Sequence, residues 1–523
     1  MKKLKTAAAL AKEKLPYPQR DVWVLLAICL VVRLVMTPMN VGEYTDGVLQ
    51  VTQLTEPTGI WPPLYSAVVY PFKFLFGYLW TGRLISAIAS AAALYPLYRM
   101  ARRAFGTRAA LYTGVFYIVA PVAMRWGVRM MTDAMFSLWF WWAVERLCFA
   151  SDEREEFSAR RALTGASLFA TLACLTRWQG LMLLPPLLVC YGILVRRFRV
   201  FIWKPLAPAL GLAILPLWIW LNGFIHGDQF TERLGAAPAV GWWEVILAMA
   251  EPFIYYLPYF LTIPVFIWAL TGMYWVRMRR GPFFGWMMLY TGVVLLIAQS
   301  AFSSFQERYF LPLHGFFWVL AGAGMYAVGE RWRRARYIVR RRLFPYLAIG
   351  TFTFSAAFGL FVLIGQREAW GDLARASRLA GDLVREERAG EADGPMIFTN
   401  EVYRLEPHPI VTSKVDFFAR ENARLLDDPY VRFSDDGRPL PPSKALPPGS
   451  LVVLSNLYNA PAYVDYLSRF YTLEPVAEFQ ASLLPVFPDN MSVPGTDQSP
   501  AWFLYRYRWQ RFSTIVLRVE GPR

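Results

Sequence analysis

Histidine, cysteine and charge are all scarce in this chain: 3 His, 4 Cys and 18% charged residues among 523. The histidines, His226, His314 and His408, lie far apart with no metal-ligand spacing, which argues against histidine-based metal chemistry. The cysteines, Cys29, Cys148, Cys174 and Cys190, all fall inside apolar runs. None lies in the C-terminal part, so a disulfide framework there is excluded. Internal repeats and low-complexity segments are also lacking.

What fills the chain instead is apolar. Hydrophobic residues make up 56% and aromatics 16%, with 21 Trp. That is too oily for an ordinary soluble protein, and Trp and Tyr gather where a membrane meets water. The net charge of +16 comes from basic residues set in short blocks between apolar runs. They form neither one amphipathic face nor a nucleic-acid-reading motif, so the pattern speaks for membrane loops and against nucleic acid.

A spanning helix needs about 17–25 mostly apolar residues. That ruler predicts spans near 22–39, 81–100, 109–124, 130–150, 162–178, 180–195, 205–222, 254–276, 283–301, 309–328 and 344–365. The basic N-terminal segment lacks a small-residue cleavage pattern before the first span, which reads as a retained span and not a removed signal. Threading the spans in order places the N-terminal lysines, Arg99 to Arg108, Arg160–Arg161, Arg196 to Lys204, Arg277 to Arg280 and Arg331 to Arg342 on one side. That side is the cytoplasm by the positive-inside rule, and the chain leaves it for good after Leu363.

From Gln366 the charge density becomes that of a soluble protein. Short β-rich runs (396–398, 410–412, 451–454) alternate with helical stretches (370–388, 460–470), and Asp435-Asp436-Gly437 marks a turn. The expected architecture is thus a polytopic α-helical membrane module over 1–365 with about 11 transmembrane helices, followed by a small soluble α/β domain over 366–523. In the first outer loop, Val48, Val51 and Leu54, and then Leu64, Val68, Phe72 and Leu75, are spaced for helices with one apolar face. Two interfacial helices joined through 59–63 fit, where a lipid head group could be received.

Acidic residues at a membrane interface are costly unless paired or used. Glu43, Asp46, Asp133 and Glu307 all fall where a span meets the outer face. Arg83, Arg125, Arg129, Arg177 and Arg308 share that level, against the cytoplasmic bias. Carboxylates with arginines there suit activation of a hydroxyl and retention of a phosphate. Each has a plainer role: Asp46, Glu43 and Asp133 as helix caps, Arg308 snorkelling beside Glu307, Arg33 and Arg83 as structural residues, Trp61 and Tyr65 as belt aromatics. Asn490-Met491-Ser492 is a chance glycosylation match by default.

Several ordered motifs give the chain a likeness. Glu43-Tyr44-Thr45-Asp46 after the first span comes first, then Trp61-Pro62-Pro63-Leu64-Tyr65 and Gly82-Arg83-Leu84-Ile85-Ser86. Arg102 to Arg108, Thr132-Asp133, Thr176-Arg177 and Glu307-Arg308-Tyr309-Phe310-Leu311-Pro312 follow. Over roughly residues 20–325 the chain resembles the GT-C superfamily membrane glycosyltransferases of the protein mannosyltransferase and aminoarabinose transferase type. The resemblance implies a polyprenyl-phosphate sugar donor, inverting transfer to a protein, lipid or glycan acceptor on the outer face of the cell (inner) membrane, and the first-loop acid as general base. By it Asp46 is the preferred base and Glu43 its rival, because Gly47 stands where the family's pair continues with an acid. Arg308, with Arg129 and Arg177 as alternates, stabilises the departing phosphate; Glu307, Tyr309, Trp61, Tyr65 and Arg83 are further candidates for substrate contact. Asp133 is open between orienting the acceptor, positioning the base and helping to bind a divalent cation. A lipid transporter or flippase is the competing class, disfavoured by the missing repeat and by ionisable groups gathered at one interface. A structural or assembly factor is a third.

Overall fold

In a computed structural model of the chain, the residues described are 20–55, 61–199, 203–223, 257–258, 260–279, 282–302, 307–334, 338–387, 395–400, 413–421, 423–426, 429–433, 438–456, 459–484 and 510–523. The N-terminal lysines, His226, His408, residues 410–412 and 435–437 and the Asn490 sequon lie outside them, as does part of the 254–276 segment.

Helices lie at the places the apolar runs predict. They are α1 (Arg20–Met36), α4 (Lys73–Phe105), α5 (Thr107–Val119), α6 (Pro121–Trp126), α7 (Thr132–Asp152), α8 (Glu156–Thr176), α9 (Leu184–Phe198), α10 (Ile214–Gly223), α11 (Ile263–Arg279), α12 (Pro282–Phe302), α13 (Leu311–Arg333) and α14 (Ile338–Gly365); α2 and α3 lie in the first loop. Tight 3-10 turns precede α9 (Trp178–Leu183), α10 (Lys204–Ala213) and α13 (Glu307–Phe310). Among the described residues, five helical stretches are long and apolar enough to cross a membrane by length and composition.

One break in the bundle shows how the sequence organises it. Ala120 is extended (ψ 121°) because Pro121 follows, which ends α5 and opens α6. Buried Arg33 of α1 donates to the carbonyls of Tyr117 (3.2 Å), which also accepts from Ala120 N–H, and Ile118 (3.1 Å) at this helix end. The structural role expected of Arg33 is therefore that of a C-terminal cap.

The first loop forms α2 (Thr45–Thr52) and α3 (Leu64–Val69). Its packing differs from the interfacial helices expected. Val48 and Val51 of α2 and Tyr65 and Val69 of α3 are buried inside the protein. Leu54 stays exposed, and a larger exposed group follows, Phe72, Phe74, Leu75, Phe76 and Trp80, around a break at Gly77 (φ 69°). The apolar spacing was a sound sign of one-sided helices, but the partner of that side is the helix bundle.

Beyond α14 come α15 (Gly371–Glu387), α16 (Ser413–Ala419), α17 (Ala460–Phe470) and a five-stranded sheet of order β2-β1-β5-β7-β6. The strands are β1 (Ile397–Thr399), β2 (Ala423–Leu425), β5 (Leu451–Ser455), β6 (Tyr471–Leu483) and β7 (Gln510–Pro522); β3 (Arg432–Phe433) and β4 (Pro439–Leu440) pair separately. β1 runs parallel to β2 and β5, and β7 antiparallel to β5 and β6. Alternation assigns the faces. Ile397, Leu451 and Val453 pack with Leu373, Ala376, Ala380 and Val384 of α15, while Phe398, Val452 and Leu454 pack with Tyr466 and Leu467 of α17.

The two regions are joined at the first loop, where Val41 N–H donates to Arg367 O (2.9 Å), and at the end of α14, where Leu484 N–H donates to Gly365 O (2.8 Å). A Cβ on Gly42 would stand 2.4 Å from Ala369 O, so only glycine permits this approach.

Candidate active site

Four carboxylates from separate elements meet four arginines. Asp46, in the first turn of α2, accepts from Arg308 Nη2 at 2.5 Å. Glu43 accepts from Arg83 Nε of α4 at 2.6 Å, and Arg83 also reaches Gly42 O at 3.3 Å. Asp133, in the first turn of α7, pairs with Arg177 at the end of α8. Glu307 pairs with Arg125 of α6 and accepts from Trp126 Nε1 at 3.0 Å. The sequence placed these groups at one depth, and the structure brings them into one cluster of pairs.

The pairs are unequal in access. The side chains of Glu43 and Glu307 are 0% exposed and that of Asp133 1%, whereas Asp46 retains 22%. Buried ion pairs of the first kind hold elements together. The accessible acid is Asp46.

A fifth arginine breaks the balance. Arg129 is fully buried and donates through Nη2 to the carbonyl of Gln366 (2.7 Å), and its guanidinium lies 4.8 Å from the Tyr44 ring centre. Among the described residues, its buried Nε and Nη1 have no hydrogen-bond partner and it has no carboxylate partner. Unmatched donors of this kind suit an anion. Asp133 Oδ2 and Glu43 Oε2 are also without hydrogen-bond partners.

The capping roles are not made by hydrogen bonds. The N-cap residues of α2 and α7 are Tyr44 and Met131, neither with a side-chain cap. Gln50 Oε1 of α2 instead accepts from Thr132 N–H (3.0 Å), tying the helix of Asp46 to that of Asp133. Sequence reasoning missed Gln50, and it left Arg125, Trp126 and Tyr44 unassigned. Arg125 Nη2 donates to Tyr44 O–H at 2.8 Å. Arg125 and Arg129 are four residues apart, a spacing that could have flagged them as one face.

Gly47 now has a physical reason. A Cβ there would stand 2.2 Å from Met130 O, so α2 lies directly on the loop between α6 and α7. An acid cannot follow Asp46 in this packing.

The remaining candidates sit as follows. Arg308 and Arg177 each face the ring of Tyr309, at 5.1 and 5.2 Å. Arg308 also lies 5.2 Å from the Trp126 ring. Tyr65 is wholly buried, its hydroxyl bonding Gly82 O and Ser86 Oγ at 3.0 Å. Its ring is thus sealed between α3 and α4. Trp61 is half-buried, and its carbonyl accepts from Trp218 Nε1 (3.0 Å). Among the described residues, no three His, Cys, Asp or Glu are grouped to hold a metal ion.

Residues 61–220 match the family described as dolichyl-phosphate-mannose-protein mannosyltransferase. No curated protein matches the chain. Among solved structures, the apo form of ArnT from Cupriavidus metallidurans is similar, with a TM-score of 0.58, 15% identity and coverage of 95% of this chain and 97% of that one. ArnT of the same organism bound to undecaprenyl phosphate gives a TM-score of 0.57 at 16% identity, covering 88% of this chain and 97% of that one. At such identity the likeness is one of fold. In its fold and in the matched segment, this chain resembles the GT-C superfamily membrane glycosyltransferases.

Proposed function

We propose that the chain moves a sugar from a polyprenyl-phosphate donor to an acceptor hydroxyl, by a single inverting displacement at the outer face of the cell membrane. The observation that carries this is the unequal exposure of the four acids: three are sealed in ion pairs, and Asp46 alone keeps an accessible carboxylate beside clustered arginines. Asp46 takes the proton of the acceptor hydroxyl as its oxygen bonds the anomeric carbon. The bond from that carbon to the phosphate oxygen breaks, and the polyprenyl phosphate leaves with the electron pair. Arg308 and Arg129 stabilise its charge, with Arg177 beside them. The donor phosphate competes with Asp46 for Arg308, so its arrival releases the base from its partner. The donor class is supported by the family description and by the undecaprenyl phosphate bound to ArnT.

In this reading residues 1–365 form the catalytic membrane module with a cytoplasmic N-terminus. Residues 366–523 form a soluble domain outside the cytoplasm that contributes to acceptor choice. The acceptor is a protein, a lipid or a glycan, and the sugar a hexose or pentose. The test is transfer by purified protein from a panel of polyprenyl-phosphate sugars, with donor binding measured separately. Binding retained and turnover lost in Asp46→Asn supports the assignment; a panel in which no donor binds refutes it.

A further inference from the structure

Far from the acidic site, at the other ends of α4 and α7, a second charged cluster surrounds one acid. Glu145 is buried and is met by Arg99 Nε at 3.1 Å and by Arg146 Nε at 3.1 Å. Arg103, one turn beyond Arg99, has no ion pair and no hydrogen bond among the described residues; its Nη1 is buried without a partner there, and its guanidinium lies 3.9 Å from the Phe149 ring. Two arginines therefore share one carboxylate, and a third on the same helix as Arg99 pairs with none among the described residues. Both arginines meet Glu145 through Nε, and among the described residues their outer Nη edges make no hydrogen bond.

These side chains do not simply extend to water. Glu145 and the rings hold them down: Arg99 lies 5.7 Å from both Tyr95 and Trp142, and Arg146 lies 5.3 Å from Trp142. The aromatic surface continues along the helices away from the charges. Trp142 stacks on Phe169 at 5.2 Å, Phe169 on Trp139 at 6.0 Å, and Tyr95 meets exposed Trp23 at 6.3 Å. Arg99 follows Arg83 by 16 residues on α4, which at the helical rise is about 24 Å, most of the thickness of a hydrocarbon layer. The cluster thus stands at the opposite membrane surface from the acidic site, with a partly exposed aromatic wall running from it into the apolar layer.

We infer that Arg99, Arg103 and Arg146 form a binding site for an anionic phospholipid, with the aromatic wall receiving its acyl chains. Three arginines around one buried carboxylate suit a lipid whose head group carries two phosphodiesters. Forked guanidinium edges suit phosphate oxygens, and basic pockets between membrane helices on the cytoplasmic side bind such head groups. The orientation in the proposed function decides only which leaflet supplies the lipid.

The full-length protein in detergent has no leaflets, so failure of that orientation leaves the binding test intact. Native mass spectrometry would measure retention of three added probes: a diphosphatidylglycerol lipid, a zwitterionic phosphatidylethanolamine and inorganic pyrophosphate. The expected result is preferential retention of the two-phosphate lipid, reduced about fivefold in Arg103→Gln. Because Arg103 makes no pair, that variant keeps Glu145 neutralised. Arg146→Gln, which leaves the Arg99–Glu145 pair, should show a similar loss. Equal retention of both lipids, equal retention by wild type and Arg103→Gln, or pyrophosphate held as well as the lipid would each overturn the inference.

Discussion

Replacing Gly47 by alanine tests the geometry of the site through one methyl group. The new carbon would stand 2.2 Å from the Met130 carbonyl oxygen, a backbone atom with no rotamer to move. Restoring ordinary contact requires a separation of about 1 Å between α2 and the loop before α7. Overpacking of this kind costs about 1–3 kcal/mol of stability. The larger effect falls on rate, because Asp46 is the adjacent residue on α2. A displacement of about 1 Å at a reacting group costs about a hundredfold, or about 2.7 kcal/mol of barrier. Single-turnover transfer with saturating donor should fall by that factor. Donor affinity then reports which element yields: it is preserved if α2 moves, and it falls if the loop moves and carries Arg129 with it. Gly192→Ala, where the methyl would meet nothing, is the control and should leave both quantities unchanged. A Gly47→Ala protein that transfers at the wild-type rate would refute either the close approach of α2 or the role of Asp46.

Other outcomes follow from the same pairs. Asp46→Asn should bind donor and transfer nothing, read by parallel binding and turnover assays. Glu43→Gln should act on stability, since it leaves Arg83 buried without its carboxylate at a cost of about 3–5 kcal/mol; thermal unfolding in detergent should show the drop, and an unchanged midpoint would count against a structural role. Arg33→Met removes the Arg33 bond to the Ile118 carbonyl and leaves Tyr117 O with only Ala120 N–H, and should cost about 1–3 kcal/mol, measured the same way. In the sheet region, burial holds the Asp372 carboxyl above the ordinary carboxylate range, against the hydrogen bond that Thr514 donates to it at 2.8 Å. A raised folded-state value means stability is fully present below the unfolded value and falls as pH rises through the folded one. Unfolding followed across that range should show the fall in wild type and its removal in Asp372→Asn.

Much of the architecture was legible because it follows from periods and lengths. Apolar runs of bilayer length contain helices among the described residues, though 109–124 is broken at Ala120 and 205–222 begins as a 3-10 helix, and 451–454 and 460–470 fell where strand and helix patterns placed them. The gathering of Glu43, Asp46, Asp133 and Glu307 followed from topology alone. The choice of partners did not. Asp46 and Arg308 are 262 positions apart and Glu307 and Arg125 182, and depth in a membrane does not say which helix stands beside which. The amphipathic spacing of the first loop likewise marks an apolar side without naming what covers it. Gly47 shows a third limit: the departure from the family pattern was visible, but its cause is a carbonyl oxygen 83 positions away in the chain, at Met130.

The Arg129–Gln366 bond joins residues 237 positions apart, and Val41 reaches Arg367 across a still longer interval. In time, this means that the loop carrying Asp46 emerges early in synthesis and waits for its support. A nascent chain holding every carboxylate up to Glu307 still lacks the carbonyl that anchors Arg129. That loop is braced only once Gln366 and Arg367, which follow α14, have been made, so its docking belongs to the late steps in the assembly of this chain.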